Sequence, residues 1–308
     1  MPLRYDTVTF LSDYGRSDEF VGVVHSVVRS ITPSVVVVDL THDIAPYDVR
    51  AAGLLLARSA QYLCPGVVLA VVDPGVGSDR RAVAVEVGGG MSVLVGPDNG
   101  LLAPAVAMCG GATRAVELNN PDYHLESPGP TFAGRDVFGP VAAHLCAGVP
   151  LGDLGVEIDP AGLLPGVLPV AHTDDRGDLV AEVLWVDRYG NAQLNVDPAE
   201  LDAVAGVDEP VEVSFGDQTR VASRAASYAE VGVGAVGLVT DSYGLVSVAV
   251  DRASAAGDLG LAAGTEVRLR VVADDAGGQP GGAGGQPGGA GGQPDGVTVA
   301  LGQPRRKP

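Results

Sequence analysis

The sequence predicts an α/β protein built in two parts: a mostly parallel sheet with flanking helices, then a smaller domain made of strands. Three observations carry this. Short β-branched runs alternate with helical patterns as far as Pro165, alternating runs separated by Gly, Asp and Asn turns replace them afterwards, and 308 residues exceed what a single ordinary core needs. The expected domains are residues 1–168 and 169–308.

The first strands are read at residues 7–11, 35–40 and 67–72. Each is too short for a buried helix, and each runs into an aspartate. Between the first two, Ser17, Asp18 and Glu19 offer an N-cap and an acidic first turn. Phe20, Val24, Val28 and Ile31 then share one helical face before Pro33 ends the segment. A second helix over residues 49–62 carries Leu54, Leu55 and Leu56, which predicts burial on more than one side. Strand, helix, strand, helix, strand implies right-handed crossovers.

Beyond Pro165, residues 181–186, 211–215, 235–240 and 245–250 alternate as strands with little helical periodicity between them, which fits a sandwich or a barrel. Residues 266–272 and 297–301 read as two more strands. The repeating Gly/Gln/Pro stretch between them, residues 275–296, has nothing large enough to bury, so a disordered, overgrown hairpin loop is expected there.

Composition excludes several roles. Lys plus Arg is 19 against 38 Asp plus Glu, and a net charge of −19 argues against nucleic acid or an anionic membrane as partner. Cys64, Cys109 and Cys146 are odd in number and widely spaced, which suits reduced thiols, and no zinc pattern is present. No uninterrupted apolar run is long enough to span a bilayer and no signal-peptide pattern opens the chain, so the expected location is the cytoplasm.

In an open parallel sheet, ligands bind beyond the carboxyl ends of the strands. Those ends read LSDYG (11–15), VDLTHD (38–43) and VVDPGVGSDRR (71–81), and they deliver Asp13, Asp39 or Asp43, and Asp73 to one edge. Any one of these aspartates is ordinarily a turn or cap residue. Three together point to a site, and Arg80, seven positions after Asp73, adds a guanidinium able to orient water with the carboxylate. GPDNGLL (96–102) and TFAGRDVFGP (131–140) read either as a turn and a capped helix or as further site segments. In the second half, DRYGN (187–191) and DSYGL (241–245) are hairpin turns, or together a stacking and hydrogen-bonding site for a purine-like ring. His42 with Asp39 and Asp43 is a weak metal pattern, and His25 stands alone. No G-x-S-x-G elbow, P-loop or G-x-G-x-x-G turn is present.

FLSDYGRSDEFVGVV, THDIAPYD, AVVDPGVGSDRRAVAV, VGPDNGLL and TFAGRDVFGPVAAHL, in this order, resemble the S-adenosyl-L-methionine hydroxide adenosyltransferase (SAM hydrolase) family, related to the fluorinase and chlorinase. The resemblance covers nearly the whole chain outside the Gly/Gln/Pro loop. It implies an N-terminal α/β domain and a C-terminal β-barrel, a homotrimer with the site between subunits, and hydrolysis of S-adenosylmethionine to adenosine and L-methionine by water or hydroxide attacking ribose C5′. It implies no cofactor and no metal.

The same resemblance gives Asp13 the ribose hydroxyls, and Asp73 and Arg80 two places in a water-binding Asp-Arg-His set. Ala133 stands where that set has its histidine. Tyr47 falls near the methionine and ribose portion. Asp187, Tyr189 and Asn191 fall at the methionine and adenine, and Ser242 on the base side. Competing expectations are a nucleoside-binding protein that turns over slowly because of Ala133, a halogenase, disfavoured because the Asp73 carboxylate repels halide, and a metal hydrolase using Asp39, His42 and Asp43.

Overall fold

The computed structural model describes residues 3–272, which divide into two compact units, 3–168 and 169–272. The expected Gly/Gln/Pro loop at 275–296 and the strand at 297–301 lie outside the described residues.

The first unit is built on a seven-stranded sheet. Its strands are β1 (Thr7–Ser12), β2 (Val36–Thr41), β3 (Val67–Val71), β4 (Ala82–Val87), β5 (Ser92–Pro97), β6 (Ala112–Glu117) and β7 (Val156–Ile158), in the order β2-β1-β3-β5-β4-β6-β7. Only the half β2-β1-β3-β5 is parallel; β5-β4-β6-β7 is antiparallel. The expected parallel sheet stops there because β4 and β5 are joined by Gly88, Gly89 and Gly90, all at positive φ, a tight turn too short for a crossover.

Helices α1 (Phe20–Ile31) and α4 (Gly139–Ala147) pack together, as do α2 (Val49–Ser59) and α3 (Ala103–Met108). Val24 and Val28 of α1 join Val8 and Phe10 of β1, Leu69 of β3, and Phe138 and Val141 in one buried cluster. The alternation of β1, with Val8 and Phe10 inward, follows from the two-residue period of a strand. Leu54, Leu55 and Leu56 are all buried, as the leucine run predicts. Two details differ from expectation. Helix α1 begins at Phe20 with no side-chain cap, so Ser17 to Glu19 form bends ahead of it, and α2 ends at Ser59 in a single 3-10 turn over Ala60–Tyr62.

The TFAGRD segment enters α4 through one π-turn, Gly134–Phe138. Pro140 explains it. Having no N–H, it cannot bond the Asp136 carbonyl, which instead accepts from the N–H of Leu125 at 2.8 Å, while Gly139 N–H reaches back five residues to the Gly134 carbonyl.

The second unit is a closed barrel, the second of the two forms its alternating strands allowed. Its strands are β8 (His172–Thr173), β9 (Leu179–Val186), β10 (Ala192–Leu194), β11 (Val211–Phe215), β12 (Gln218–Ala225), β13 (Val236–Thr240), β14 (Val246–Val250) and β15 (Glu266–Val271), with α5 (Pro198–Val204) and α6 (Ala255–Leu259). The ring runs β9-β10-β14-β13-β12-β11-β15 and returns to β9, with β8 added along one side of β9. Inward residues such as Val183, Leu194, Val213, Leu238, Val248 and Leu269 fill it. All pairings are antiparallel except β12 with β13, whose crossing connection over residues 226–235 runs back from the end of β12 to start β13 beside Ala222. Among the described residues the cysteines are free thiols, Cys64 exposed and Cys109 and Cys146 buried, and no helix is long and apolar enough to cross a membrane.

Candidate functional site

Because β1, β2 and β3 are parallel neighbours, their carboxyl ends share one edge, where Asp13 and Asp73 follow β1 and β3. Asp73 is bound by Arg80 along both oxygens. Arg80 Nε donates to Oδ1 at 2.9 Å and Oδ2 at 3.1 Å, and Nη2 donates to Oδ2 at 2.5 Å. The side chains are 6% and 17% exposed, so the pair is held out of bulk water. Sequence sets this geometry in the DPGVGS turn. Val76 N–H returns to the Asp73 carbonyl and Ser78 N–H to that of Gly75, Gly77 takes φ of +80°, and a Cβ on Gly75 would press on Arg80 Cγ at 3.2 Å. The guanidinium also lies over the ring of Phe138, 5.3 Å from its centroid.

Asp13 meets Tyr47, though through the backbone: Tyr47 N–H donates to Asp13 Oδ2 at 2.9 Å. Tyr47 holds φ of +69°, a costly value for a tyrosine, and its ring is 73% exposed. The GPDNGLL segment braces this edge. Asn99 Nδ2 donates to the carbonyl of Val72, the residue before Asp73, at 2.9 Å, and Asp98 pairs with Arg81 and accepts from Leu164 N–H. Arg135 and Asp136 pair with each other, and Arg135 stacks on Phe132.

One residue the motif reading missed is Tyr14. Its ring sits edge-on to Phe10 and Phe132 and tilted against Phe20, and its hydroxyl reaches Gly134, where any Cβ would collide with it. It therefore ends beside Ala133, the position lacking a polar side chain. Burial first, then the carboxylates of Asp13 and Asp73, push the phenol pKa well up, against smaller opposite effects of the Gly134 amide and Arg80. The hydroxyl stays protonated. The only sequence signal was a tyrosine directly after Asp13.

The weak metal pattern is rearranged. Asp43 is exposed and faces Arg16 at 3.9 Å, leaving Asp39 and His42 without it. His25, which the sequence left alone, places Nε2 2.7 Å from Asp39 Oδ1, and His42 Nε2 lies 3.1 Å from the same oxygen. Burial lowers the His42 pKa even against the pull of Asp39, so this imidazole is neutral.

In the barrel, Asp187, Tyr189, Asn191 and Ser242 line one groove of about 1100 Å³, together with Tyr228 from the crossing connection and Arg252. The two aspartates of DRYGN and DSYGL are spent on their own turns. Asp187 accepts from the N–H groups of Tyr189 and Asn191 and from Asn191 Nδ2, while Asp241 accepts from Tyr243 N–H, Gln193 Nε2 and Ser247 Oγ. That bonding presents the Tyr189 ring, 79% exposed, at the groove. Tyr228 and Arg252 escaped the motif reading; burial and the nearby Asp241 and Asp187 raise the Tyr228 pKa, and Arg252 sits at φ of +53°. A smaller apolar cavity of about 290 Å³, between α3 and residues 160–165 of the first unit, is lined by Asp98, Gly100 and Leu102 of GPDNGLL but by none of Asp13, Tyr47, Asp73 and Arg80.

Comparison with known proteins finds relatives along both units. Residues 8–155 match the family model described as the SAM hydroxide adenosyltransferase N-terminal domain, and residues 181–268 match its C-terminal domain. The (R)-S-adenosyl-L-methionine hydrolase of Salinispora tropica is 42% identical over 266 residues, covering 86% of this chain and 97% of that protein. The enzyme of the same name from Thermus thermophilus is 41% identical over 273 residues, 85% and 98% of the two chains. The fluorinase of Actinopolyspora mzabensis is more distant, 27% identical over 290 residues, 85% of this chain and 96% of that one. A solved structure of an uncharacterized conserved protein from Thermotoga maritima superposes with a TM-score of 0.79 at 30% identity, covering 85% of this chain and 99% of that one. By sequence along both units, and by fold, the chain belongs to the SAM hydroxide adenosyltransferase family.

Proposed function

We propose that this chain hydrolyses S-adenosyl-L-methionine to adenosine and L-methionine, with water attacking ribose C5′. The C5′–S bond breaks, its electron pair leaves with sulfur as the neutral thioether of methionine, and the C5′–O bond forms as the water loses a proton. The observation that carries the reading is the Asp73–Arg80 pair at the sheet edge beside Asp13, in a chain that matches 97% of the length of a hydrolase relative.

A sulfonium is a good leaving group, so the protein mainly has to align one water and exclude others. Arg80 donates once to Asp73 Oδ1 and twice to Oδ2, which leaves a lone pair on Oδ1 to accept from that water. Asp73 is then the proton acceptor. Tyr14, protonated and ending beside Ala133, supplies the hydrogen bond that the absent histidine does not. Asp13 takes the ribose hydroxyls and Tyr47 closes over the ribose and methionine portion. In the barrel groove, Tyr189 stacks on the adenine while Asn191 and Ser242 hydrogen-bond to it; Asp187 acts by holding that turn. We infer further that the protein is a cytoplasmic homotrimer in which the N-terminal site of one subunit is completed by the barrel of a neighbour, and that it needs no cofactor.

The test is turnover of S-adenosylmethionine in water labelled with oxygen-18. Adenosine carrying one labelled oxygen at the 5′ position is the expected product; absence of adenosine above a heat-killed control overturns the activity, and unlabelled adenosine overturns attack at C5′. Ala133 favours one second reading, a protein that binds S-adenosylmethionine and turns it over very slowly. Tight calorimetric binding without adenosine release identifies it.

A further inference from the structure

We propose that His25, Asp39 and His42 form a binding site for one divalent transition-metal ion of the zinc or cobalt type, in the N-terminal unit and apart from the Asp73–Arg80 pair. Each offers one ligand atom, and these atoms all lie within 4.8 Å of one another. Asp39 Oδ1 is 2.7 Å from His25 Nε2 and 3.1 Å from His42 Nε2. Two imidazoles and one carboxylate are a borderline donor set that suits such an ion, with a fourth position left for water.

The second observation is His42 itself. Its side chain is wholly buried, and Nδ1 is taken by Ser12 Oγ at 2.7 Å, which fixes the ring. Nε2 is then the atom left facing Asp39, and despite the 3.1 Å separation it has no aligned hydrogen-bond partner. An unpartnered, fully buried ring nitrogen aimed at a carboxylate and a second imidazole is what a metal would satisfy. The Ser12 contact is the outer-shell bond that ligating histidines usually make, and the ring of Phe10, 4.6 Å from His42 and 6.1 Å from His25, walls the site on its inner side.

The ligands come from rigid elements: His25 from α1, Asp39 from β2, and His42 from just beyond the end of that strand. In a tetrahedral site with metal–nitrogen bonds near 2.1 Å, ligand atoms sit about 3.4 Å apart. The two separations from Asp39, 2.7 and 3.1 Å, need only a small outward shift, and His25 and Asp39, 30% and 26% exposed, leave an entry path. Asp39 lies in β2 and Asp73 two residues beyond the end of β3, with β1 between them, so at least roughly 10 Å separates them at the usual strand spacing. The ion therefore does not activate the attacking water. It ties α1 to the edge strand β2 and, through Ser12, steadies the chain just before Asp13.

Metal-stripped full-length protein titrated with Co²⁺ tests this. The expected result is the visible absorption of tetrahedral cobalt, saturating at one ion per chain, displaced by Zn²⁺, with a Tm several degrees higher in either metal. His25→Ala, at a partly exposed position, and Asp39→Asn should each abolish the absorption and the Tm shift while keeping the native circular dichroism. His42→Ala alone would not suffice, since it also opens a buried void. No cobalt absorption, or uptake unchanged in His25→Ala, overturns the proposal and leaves a His25–Asp39 hydrogen bond beside a packed His42 ring. Neither readout uses S-adenosylmethionine, so failure here is separable from failure of the hydrolase reading.

Discussion

Arg80 lies along both oxygens of Asp73, Nε at 2.9 and 3.1 Å and Nη2 at 2.5 Å, while its guanidinium rests on the ring of Phe138. A carboxylate so held cannot swing, and any water it binds inherits that fixed direction. Asp73→Asn keeps the shape but removes the proton acceptor, so kcat should fall about 10²- to 10⁴-fold, the usual worth of a general base. Arg80→Lys keeps the charge and loses the two-point grip, and should lower kcat more than it raises KM. Steady-state adenosine release measures both. Unchanged kcat in Asp73→Asn would remove Asp73 from the chemistry.

Tyr14 and Ala133 form a pair whose coupling is testable. Tyr14→Phe removes one hydrogen bond near the water and should cost about 10-fold in kcat, close to 1.4 kcal/mol, with little change in fold because the ring still packs on Phe20 and Phe132. Ala133→His in the Tyr14→Phe background should recover that loss. The double-mutant cycle isolates the coupling. Equal effects of Tyr14→Phe with and without the histidine would show that the two side chains do not share a role.

Tyr189 is the exposed ring of the barrel groove, presented by the Asp187 turn. Removing a stacking partner for a base costs about 1–3 kcal/mol, so Tyr189→Ala should raise KM roughly 5- to 150-fold with kcat much less affected. Asp187→Ala should produce the same direction of change by loosening three turn hydrogen bonds, and Tyr189→Trp should restore affinity. A KM unmoved by Tyr189→Ala would place the adenine elsewhere.

What the sequence revealed follows from locality. Asp13, Asp73 and Arg80 were legible because parallel strands carry their carboxyl ends to one edge, and a seven-residue turn brings Arg80 back to Asp73 without any long-range information. Leu54, Leu55 and Leu56 were legible as a doubly buried helix for the same reason. His25 was not, because its meeting with Asp39 depends on the rotation of α1 over the sheet, which the pattern of Val24 and Val28 fixes only to within a face. Tyr14 was not, because its reach to residue 134 requires the π-turn that Pro140 imposes four residues beyond Asp136 and the missing Cβ of Gly134. The antiparallel half of the first sheet hid behind the Gly88–Gly90 turn, which reads equally as a loop. In the barrel, Arg252 and Tyr228 lie outside any repeating pattern and enter the groove only through ring closure.

Cys146 gives a prediction at high pH. Burial, helped slightly by Asp6, pushes its thiol up to about 12 from an ordinary value of 9.0. Between those two values the unfolded chain releases the thiol proton while the folded chain keeps it. The unfolded state then binds fewer protons than the native one, so stability falls as pH rises. Below about pH 9 both states hold the proton and the residue contributes no pH dependence; above about 12 both have lost it and the slope vanishes again. The slope in between is about 1.4 kcal/mol per pH unit from this single group. Cys146→Ala removes it at a modest and pH-independent cost for the smaller side chain in the cluster with Val141 and Leu145. Urea unfolding of both proteins at pH 8 and pH 10 measures the difference, and the gap between variant and parent should narrow or reverse at the higher pH. A gap that is the same at both pH values would show that the thiol ionises in the folded protein as readily as in the unfolded chain.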